Sequence, residues 1–523
     1  MIRLILFVIS LAIYNFIYSQ NLSIEGKVFD SKTNKPISNA TVQIRDSRID
    51  TVTNNDGEFK LLYPDSLINR DIVIYKADYD VFSLPLNILN APKIEIYLEH
   101  RKNTTIEATN KGKVANSLDK ALNFVMNDWV ALGPKDKNKF DFGRLQTIPT
   151  MNPIEGFRLR GGIASNSRLS PNFFVKGYLA YGFKDRKFKY RGEAIYSFIP
   201  KDYYDGEFPK NNLRFIYEND IFSPGEIHPR AMNDLLLVTY RRSKNETTYR
   251  EFFELNYERE YLSGFSNVVW TRKSTLTPQG ELMFYTDKDI PYNEFSKLNN
   301  FEVGLSLIYN NKPHYKHTNR HRTILDLSSP LFSLSHSVGL KDIMGGDNSY
   351  HRTEVSIQKR FSLNEYATID VVGEYAKVWN RIPFPLLIYP NQRQRFNIEN
   401  NAFFLSRSLE FVADEQFTLR GVFVGNKLLL NRSPILNKLG IKELLSFRAT
   451  YGHLSSKNIP SPNNQLFVFP YLSHQYEKGK PYIEGTVGIT NILGLLRLEY
   501  VHRFNYRNYP EAILGAVRLD ITL

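Results

Sequence analysis

The chain has 523 residues, 67 Lys and Arg against 54 Asp and Glu for a net charge of +13, and no cysteine. The missing thiols exclude disulfides, thiolate metal sites, cysteine nucleophiles and a lipid-modified N-terminal cysteine. A mean hydropathy of −0.36 with a single long apolar run excludes a bundle of membrane helices, though not membrane strands, whose alternation dilutes their apolar residues by half.

Residues 1–19 carry one cation, Arg3, then an apolar run over 4–17 and small Ser19, the pattern of a secretory signal peptide cut near Ser19 and Gln20. An uncleaved anchor is the weaker reading, because the run falls short of about twenty apolar residues. Export also reframes the charge: an exported chain meets no nucleic acid routinely, so the excess cations are expected at loop ends and in a wet lumen. The 36 Phe and 32 Tyr suit a membrane–water boundary, where an aromatic ring is buried and a tyrosine hydroxyl stays wet.

Residues 20–99 read as a β-sandwich, with short strands at residues 24–29, 40–44, 58–62, 72–75 and 93–98 separated by turn residues. Asp56-Gly57 is a hairpin turn, since glycine accepts the positive φ such turns require; a calcium site there lacks clustered carboxylates. Gly26, Val28 and Asp30, then Pro36-Ile37, Ala40-Thr41-Val42 and Thr53-Asn-Asn-Asp56-Gly57-Glu-Phe59, resemble the carboxypeptidase regulatory-like domains, which implies an immunoglobulin-like sandwich. A departure is Ala77-Asp78-Tyr79, where a glycine often precedes the aromatic residue.

Residues 100–145 form a linker in which Val114, Leu118, Ala121, Leu122, Val125 and Trp129 recur at helical spacing, predicting one amphipathic helix. A partly ordered linker is the other reading, and the stretch is too short for an independent plug domain.

Residues 146–523 predict an antiparallel transmembrane β-barrel of roughly 14–16 strands. Phe188, Tyr190, Gly192, Ala194, Tyr196 and Phe198 alternate with Lys187, Lys189, Arg191 and Glu193 after a tight turn at Lys184-Asp-Arg186. Runs starting at Phe301, Phe332 and Ala367 repeat the pattern, and Ile513, Gly515, Val517, Leu519, Ile521 and Leu523 alternate to the last residue. Closure of the sheet satisfies the amides that an edge strand would leave unpaired in a bilayer. Counting back from Leu523 puts residues 507–511 and 454–480 outside and the turn near 491–494 inside. A forward count puts the loop after residue 309 outside as well.

Asn152-Pro-Ile-Glu-Gly-Phe-Arg-Leu-Arg160, Tyr178-Leu-Ala-Tyr-Gly-Phe-Lys-Asp185, Ile382-Pro-Phe-Pro-Leu-Leu387, Asn431-Arg-Ser-Pro-Ile-Leu-Asn-Lys-Leu439, Tyr482-Ile-Glu-Gly-Thr-Val-Gly-Ile-Thr-Asn-Ile492 and Leu496-Arg-Leu-Glu-Tyr-Val-His-Arg503 resemble the uncharacterised outer-membrane barrels of Bacteroidetes-type bacteria that follow a carboxypeptidase regulatory-like domain. The resemblance implies a location and no activity. The chain departs from that family in its short connection between sandwich and barrel and in ending on Leu523 rather than an aromatic residue.

Motifs for zinc hydrolases, serine hydrolases, phosphate loops and dinucleotide folds are missing, which leaves no catalytic or cofactor-binding residue to name. Ser117 and Lys120 fit Ser-x-x-Lys by chance. Glu258 and Glu260 share one strand face, an arrangement that suits acid–base chemistry but equally a charged lumen. His314, His317 and His321 are the one candidate metal set, and Lys312, Lys316, Arg320 and Arg322 around them repel a dication. A loop touching lipid phosphates is the next reading, and a solvated hairpin the default.

The expected protein is a non-catalytic outer-membrane barrel with its immunoglobulin-like domain in the periplasm, serving envelope transport, assembly or anchoring. A solute channel or receptor and an integral-membrane enzyme are the alternatives. Its expected partners are outer-membrane lipid and, through the sandwich, periplasmic or envelope proteins, with no cofactor and no nucleic acid.

Overall fold

The computed structural model describes residues 21–44, 49–64, 71–76, 79–86, 93–99, 129–134, 137–225, 246–286, 297–311, 315–318, 320–324, 329–363, 366–391, 402–426, 430–433, 440–492 and 496–521. The chain divides into two compact units, one reaching to Ser117 and the other built from 118–260 and 264–523. Residues 1–19 and most of the expected helix, including Val114 to Val125, lie outside the described residues, as do Ser117 and Lys120.

In the first unit, β1 (Asn21–Asp30), β4 (Glu58–Pro64) and β7 (Lys93–Leu98) form one sheet, and β2 (Thr41–Ile44), β3 (Asp50–Val52), β5 (Asp71–Tyr75) and β6 (Phe82–Pro85) the other. The sequence pattern finds all but the short β3 and β6. Alternate residues of both sheets, among them Ile24, Val28, Val42, Ile44, Phe59, Leu61, Ile72, Ile74 and Ile96, bury into one apolar core, as period-two packing requires. Gly57, with φ +74°, closes the turn into β4, and a Cβ there would meet the Val28 carbonyl at 2.6 Å. The turn is therefore closed to any side chain.

In the second unit come β8 (Trp129–Ala131), β9 (Phe140–Gly143), β10 (Pro149–Asn152), β11 (Gly156–Ser165), β12 (Phe173–Gly182), β13 (Phe188–Ser197), β14 (Asn211–Phe222), β15 (Glu246–Glu260), β16 (Phe265–Gly280) and β17 (Leu298–Asn310). A small ribbon, β18 (Tyr315–Thr318) and β19 (His321–Ile324), interrupts the series. Then follow β20 (Leu331–Gly339), β21 (Tyr350–Leu363), β22 (Ala367–Val378), β23 (Glu415–Gly425), β24 (Lys442–His453), β25 (Tyr482–Ile492), β26 (Leu496–Arg503) and β27 (Gly515–Ile521).

All but the ribbon join one 18-stranded sheet. From β10 to β27 each strand pairs with the next antiparallel, β27 neighbours β8, β8 pairs β9 and β9 pairs β11, so the hydrogen-bonded order returns on itself. Both β9 and β10 lie along β11 and act as one strand broken by a 3-10 turn at Leu145–Thr147. Discounting three-residue β8, sixteen strands among the described residues run between the two ends, at the top of the expected range. Trp129, expected to close a helix, instead opens β8, because its neighbours pair with Phe142 and Asp141.

Strand parity sorts the connections. The connections leaving β14, β16, β22, β24 and β26 share one end of the sheet, and the short ones leaving β15, β21 and β25 the other. The loop 311–330, with the ribbon, falls at the short-turn end, opposite 454–481. The forward count that placed it beside 454–480 is thereby corrected: β17 and β24 run in opposite directions.

Asp30 ends β1 buried, accepting hydrogen bonds from the Lys32 amide (2.9 Å), the Thr33 amide (2.8 Å) and the Tyr79 hydroxyl (2.7 Å). The Tyr79 hydroxyl first, and the Thr33 amide next, hold this carboxyl well below the ordinary carboxylate range against the opposing effect of desolvation. A depressed folded pKa contributes stability at neutral pH that is lost as pH falls below the unfolded value of about 4. The thermal stability of the sandwich unit should therefore fall progressively below that pH, and Asp30→Asn should lower the neutral-pH Tm and flatten the acid limb. An unchanged acid limb in the variant would contradict this origin.

Candidate functional site: the inner wall of the barrel

Strand phase separates two walls. Outward on β12, β13, β23, β25 and β27 stand Leu179, Phe188, Tyr196, Phe417, Val487 and Val517, all exposed. Inward stand polar and charged side chains, among them Lys189, Thr418, Arg420, Thr486 and Arg518, all buried, as the alternation of residues 187–198 predicts.

These inward charges are spent on one another. Arg158 takes Asp220 through both guanidinium arms at 2.7 Å and also reaches Glu155 at 3.1 Å. The Tyr178 hydroxyl donates to the same Asp220. Glu218 lies between Arg191 and Arg250, while Asp205 accepts from Lys176 and Arg214 at 3.1 Å each. Lys189 is fully buried between Glu155, 2.9 Å away, and Asp185. An inward charge on this wall is thus a locked partner rather than a solvated group, and reversing Lys189 would bring three carboxylates together.

Glu258 pairs with Lys210 at 3.1 Å, and Glu260 with Arg322 at 2.8 Å and with the Lys210 amide. Both carboxylates of the candidate acid–base pair are therefore held by cations. Arg320 likewise reaches Asp141 at 2.7 Å and the Ser165 carbonyl at 2.6 Å. Two of the four cations read as a solvated hairpin, or secondarily as a lipid-phosphate contact, are thus anchored to the barrel. His314 lies outside the described residues; His317 stands opposite Arg322 and His321 opposite Thr318 in the ribbon. Among the described residues, no group of three His, Asp or Glu is placed to hold a metal ion.

The feature that sequence reading missed is the connection 379–414. Ile382, Phe384, Leu387, Ile388, Leu409 and Val412 pack with Leu276, Phe284, Leu298 and Leu454 into an apolar core at the long-loop end. Phe403 and Phe411 join Tyr482 and Tyr506 in a second cluster. A backbone that enters a barrel needs acceptors for its amides. Glu484, inward on β25, supplies them: its carboxylate accepts from the amides of Phe404 (2.9 Å), Leu405 (2.7 Å) and Ser406 (3.2 Å). Glu410 of the loop pairs with Arg503 of β26 at 2.6 Å, both fully desolvated. Gly452 of β24 leaves the room, since a Cβ there would stand 2.6 Å from that of Ala413. The available signal was composition: Ile382-Pro-Phe-Pro-Leu-Leu387 and Phe403-Phe-Leu405 are too apolar for a solvated loop.

If Glu484 pins the loop, Glu484→Ala should speed hydrogen exchange of the Phe404, Leu405 and Ser406 amides by about 10- to 100-fold, the loss of a charge-assisted hydrogen bond. Exchange in the strands β12 to β15 should stay as it is. Equal exchange at 404–406 in both proteins would show that the apolar clusters alone hold the loop.

A family model described as "Family of unknown function (DUF5686) C-terminal domain" matches residues 133–457, and the CarboxypepD_reg-like domain model matches 24–112. No curated protein matches the chain. Among solved structures, BamA from Haemophilus ducreyi lacking POTRA domains 1-3 is similar at 10% identity and a TM-score of 0.44, over 78% of this chain and 77% of that one. CdiB from Acinetobacter baumannii is similar at 10% identity and 0.37, over 70% and 56%, and CdiB from Escherichia coli at 11% and 0.39, over 71% and 60%. The family match covers well over half of the chain, from the strands that open the barrel to the start of the long loop after β24, and the chain accordingly belongs to the DUF5686 family, with a CarboxypepD_reg-like domain ahead of its barrel.

Proposed function

We propose that the protein is an integral outer-membrane β-barrel with its sandwich in the periplasm, closed at rest, and a non-catalytic part of envelope transport, assembly or anchoring. The observation that carries this reading is the outward face: large apolar side chains stand exposed on nearly every strand of the great sheet, Val517 at 64% and Phe188 at 61%. A soluble monomer rarely exposes a contiguous apolar surface beyond a few hundred Å². A bilayer is the solvent such a wall fits.

Orientation follows from loop length, since long loops normally face outward and short turns the periplasm. The carboxylate pair Glu258 and Glu260, bound by Lys210 and Arg322, supports a structural rather than an acid–base role. The loop 379–414 and the ion-paired wall favour a closed barrel over an open pore.

Two experiments test the reading. An epitope inserted near Ser461 should be reached by antibody on intact cells; labelling only after the outer membrane is broken would reverse the orientation. In planar bilayers the purified protein should show little steady conductance, and deletion of residues 402–411 should raise it severalfold. Steady large conductance of the unaltered protein would replace the closed barrel with an open channel.

A further inference from the structure

We propose that the inner wall of β23 and β24 is a binding site for a phosphate-class oxyanion, held by the guanidinium groups of Arg420 and Arg448. The two arginines are direct cross-strand partners. Both point inward and are essentially fully buried, at 2% and 0% exposure. Like charges set directly opposite destabilise a sheet, so this placement calls for an anion between them.

The chain does not supply a sufficient one. Arg448 donates through Nη1 to the hydroxyls of Ser446 (3.0 Å) and Thr486 (3.1 Å). Its neighbour across the ladder on the other side is Glu484, the obvious counter-ion. That carboxylate is occupied by the amides of Phe404, Leu405 and Ser406 and by the Tyr482 hydroxyl. Arg420 keeps one arm on Glu374. What remains are Nε and Nη2 of Arg448 and Nε and Nη1 of Arg420, all four buried with no acceptor. Glu484 and Glu499 stand within electrostatic reach of Arg448 as opposite charges without bonding its free nitrogens, and Arg497, itself paired with Glu499 at 2.6 Å, stands there as a like charge.

Buried guanidinium groups are ordinarily paired, because an uncompensated ion in a poorly solvated interior is costly. Four free nitrogens on two planar forks match the several acceptor oxygens of a tetrahedral oxyanion, and guanidinium forks bind such oxygens bidentately. The Ser446 and Thr486 hydroxyls add donors at the rim. The four nitrogens are sealed from solvent, so occupancy requires the packing around them to open and then close over the ligand. Free phosphate and the phosphorylated headgroup of a lipid share this chemistry.

The test uses the purified full chain in a neutral detergent, with inorganic phosphate in one arm and micelles doped with a phosphorylated glycolipid in the other, against chloride at equal ionic strength. Saturable binding near one equivalent per chain, with a rise in Tm that follows occupancy, is the expected result. Response to inorganic phosphate identifies the free ion as sufficient, and response to the doped micelles alone identifies the headgroup. Arg420→Gln and Arg448→Gln should each weaken binding about tenfold or more, as loss of a charge-assisted contact does. Arg448→Gln should also raise Tm in phosphate-free buffer, since it removes an unpaired charge, which checks that the variant folds. No saturable binding in either arm, or binding unchanged in the double variant, would overturn the site; the wild-type arms decide this even if a variant fails to fold.

Discussion

Everything in the larger unit depends on the sheet returning on itself. A strand edge with unpaired amides is a liability in water and untenable in lipid. Here the return is not a simple meeting of first and last strands. The first strand is broken into β9 and β10, and the three-residue β8 is inserted between β9 and β27. With the order closed, every strand acquires an inside and an outside, and period two does the rest. The outer wall becomes largely aromatic and aliphatic, with a few charges such as Glu251, Lys377 and Glu415 in its phase, and the inner wall carries the interlocked ion pairs.

An inner wall of that kind has to answer for its own desolvation. On β11 to β15 it does so by interlocking: Asp220 serves Arg158 and Tyr178, and Glu218 serves Arg191 and Arg250. Such buried pairs contribute little net stability relative to well-packed apolar side chains, and breaking one partner is expensive, about 3–5 kcal/mol. Their effect is therefore on uniqueness. A one-residue slip of β13 would place Lys189 and Arg191 outside and Tyr190 inside, so the charge lattice and the apolar wall fix the same register.

Much of this was legible in the sequence. The phase of β13, β17, β20 and β22 follows directly from alternation, because one side chain in two must meet an apolar surroundings while its neighbours cannot. The sandwich was legible for the same reason, apart from β3 and β6, which are too short to show a period. What was hidden depends on contacts distant in sequence. Trp129 fits a helical stripe with Val125, yet its pairing belongs to β9. Arg320 and Arg322 look like a solvated basic cluster, and only the ribbon brings them to Asp141 and Glu260. No local pattern marks Glu484 as the acceptor for a loop eighty residues away.

That last contact follows from size. An eight-stranded barrel can be filled by its own side chains, but one of about sixteen encloses more space than inward side chains span. A barrel of this width either holds water or admits a segment of chain. A segment brings backbone amides that the wall, whose own amides are spent on the sheet, cannot satisfy. Side chains must do it, and a carboxylate is the most economical choice, because two oxygens accept three amides at once. The consequence lies on the wall itself: the oxygens of Glu484 that hold the loop are not available to hydrogen-bond the arginine beside it, so the loop contact and the unbonded nitrogens of Arg448 are linked.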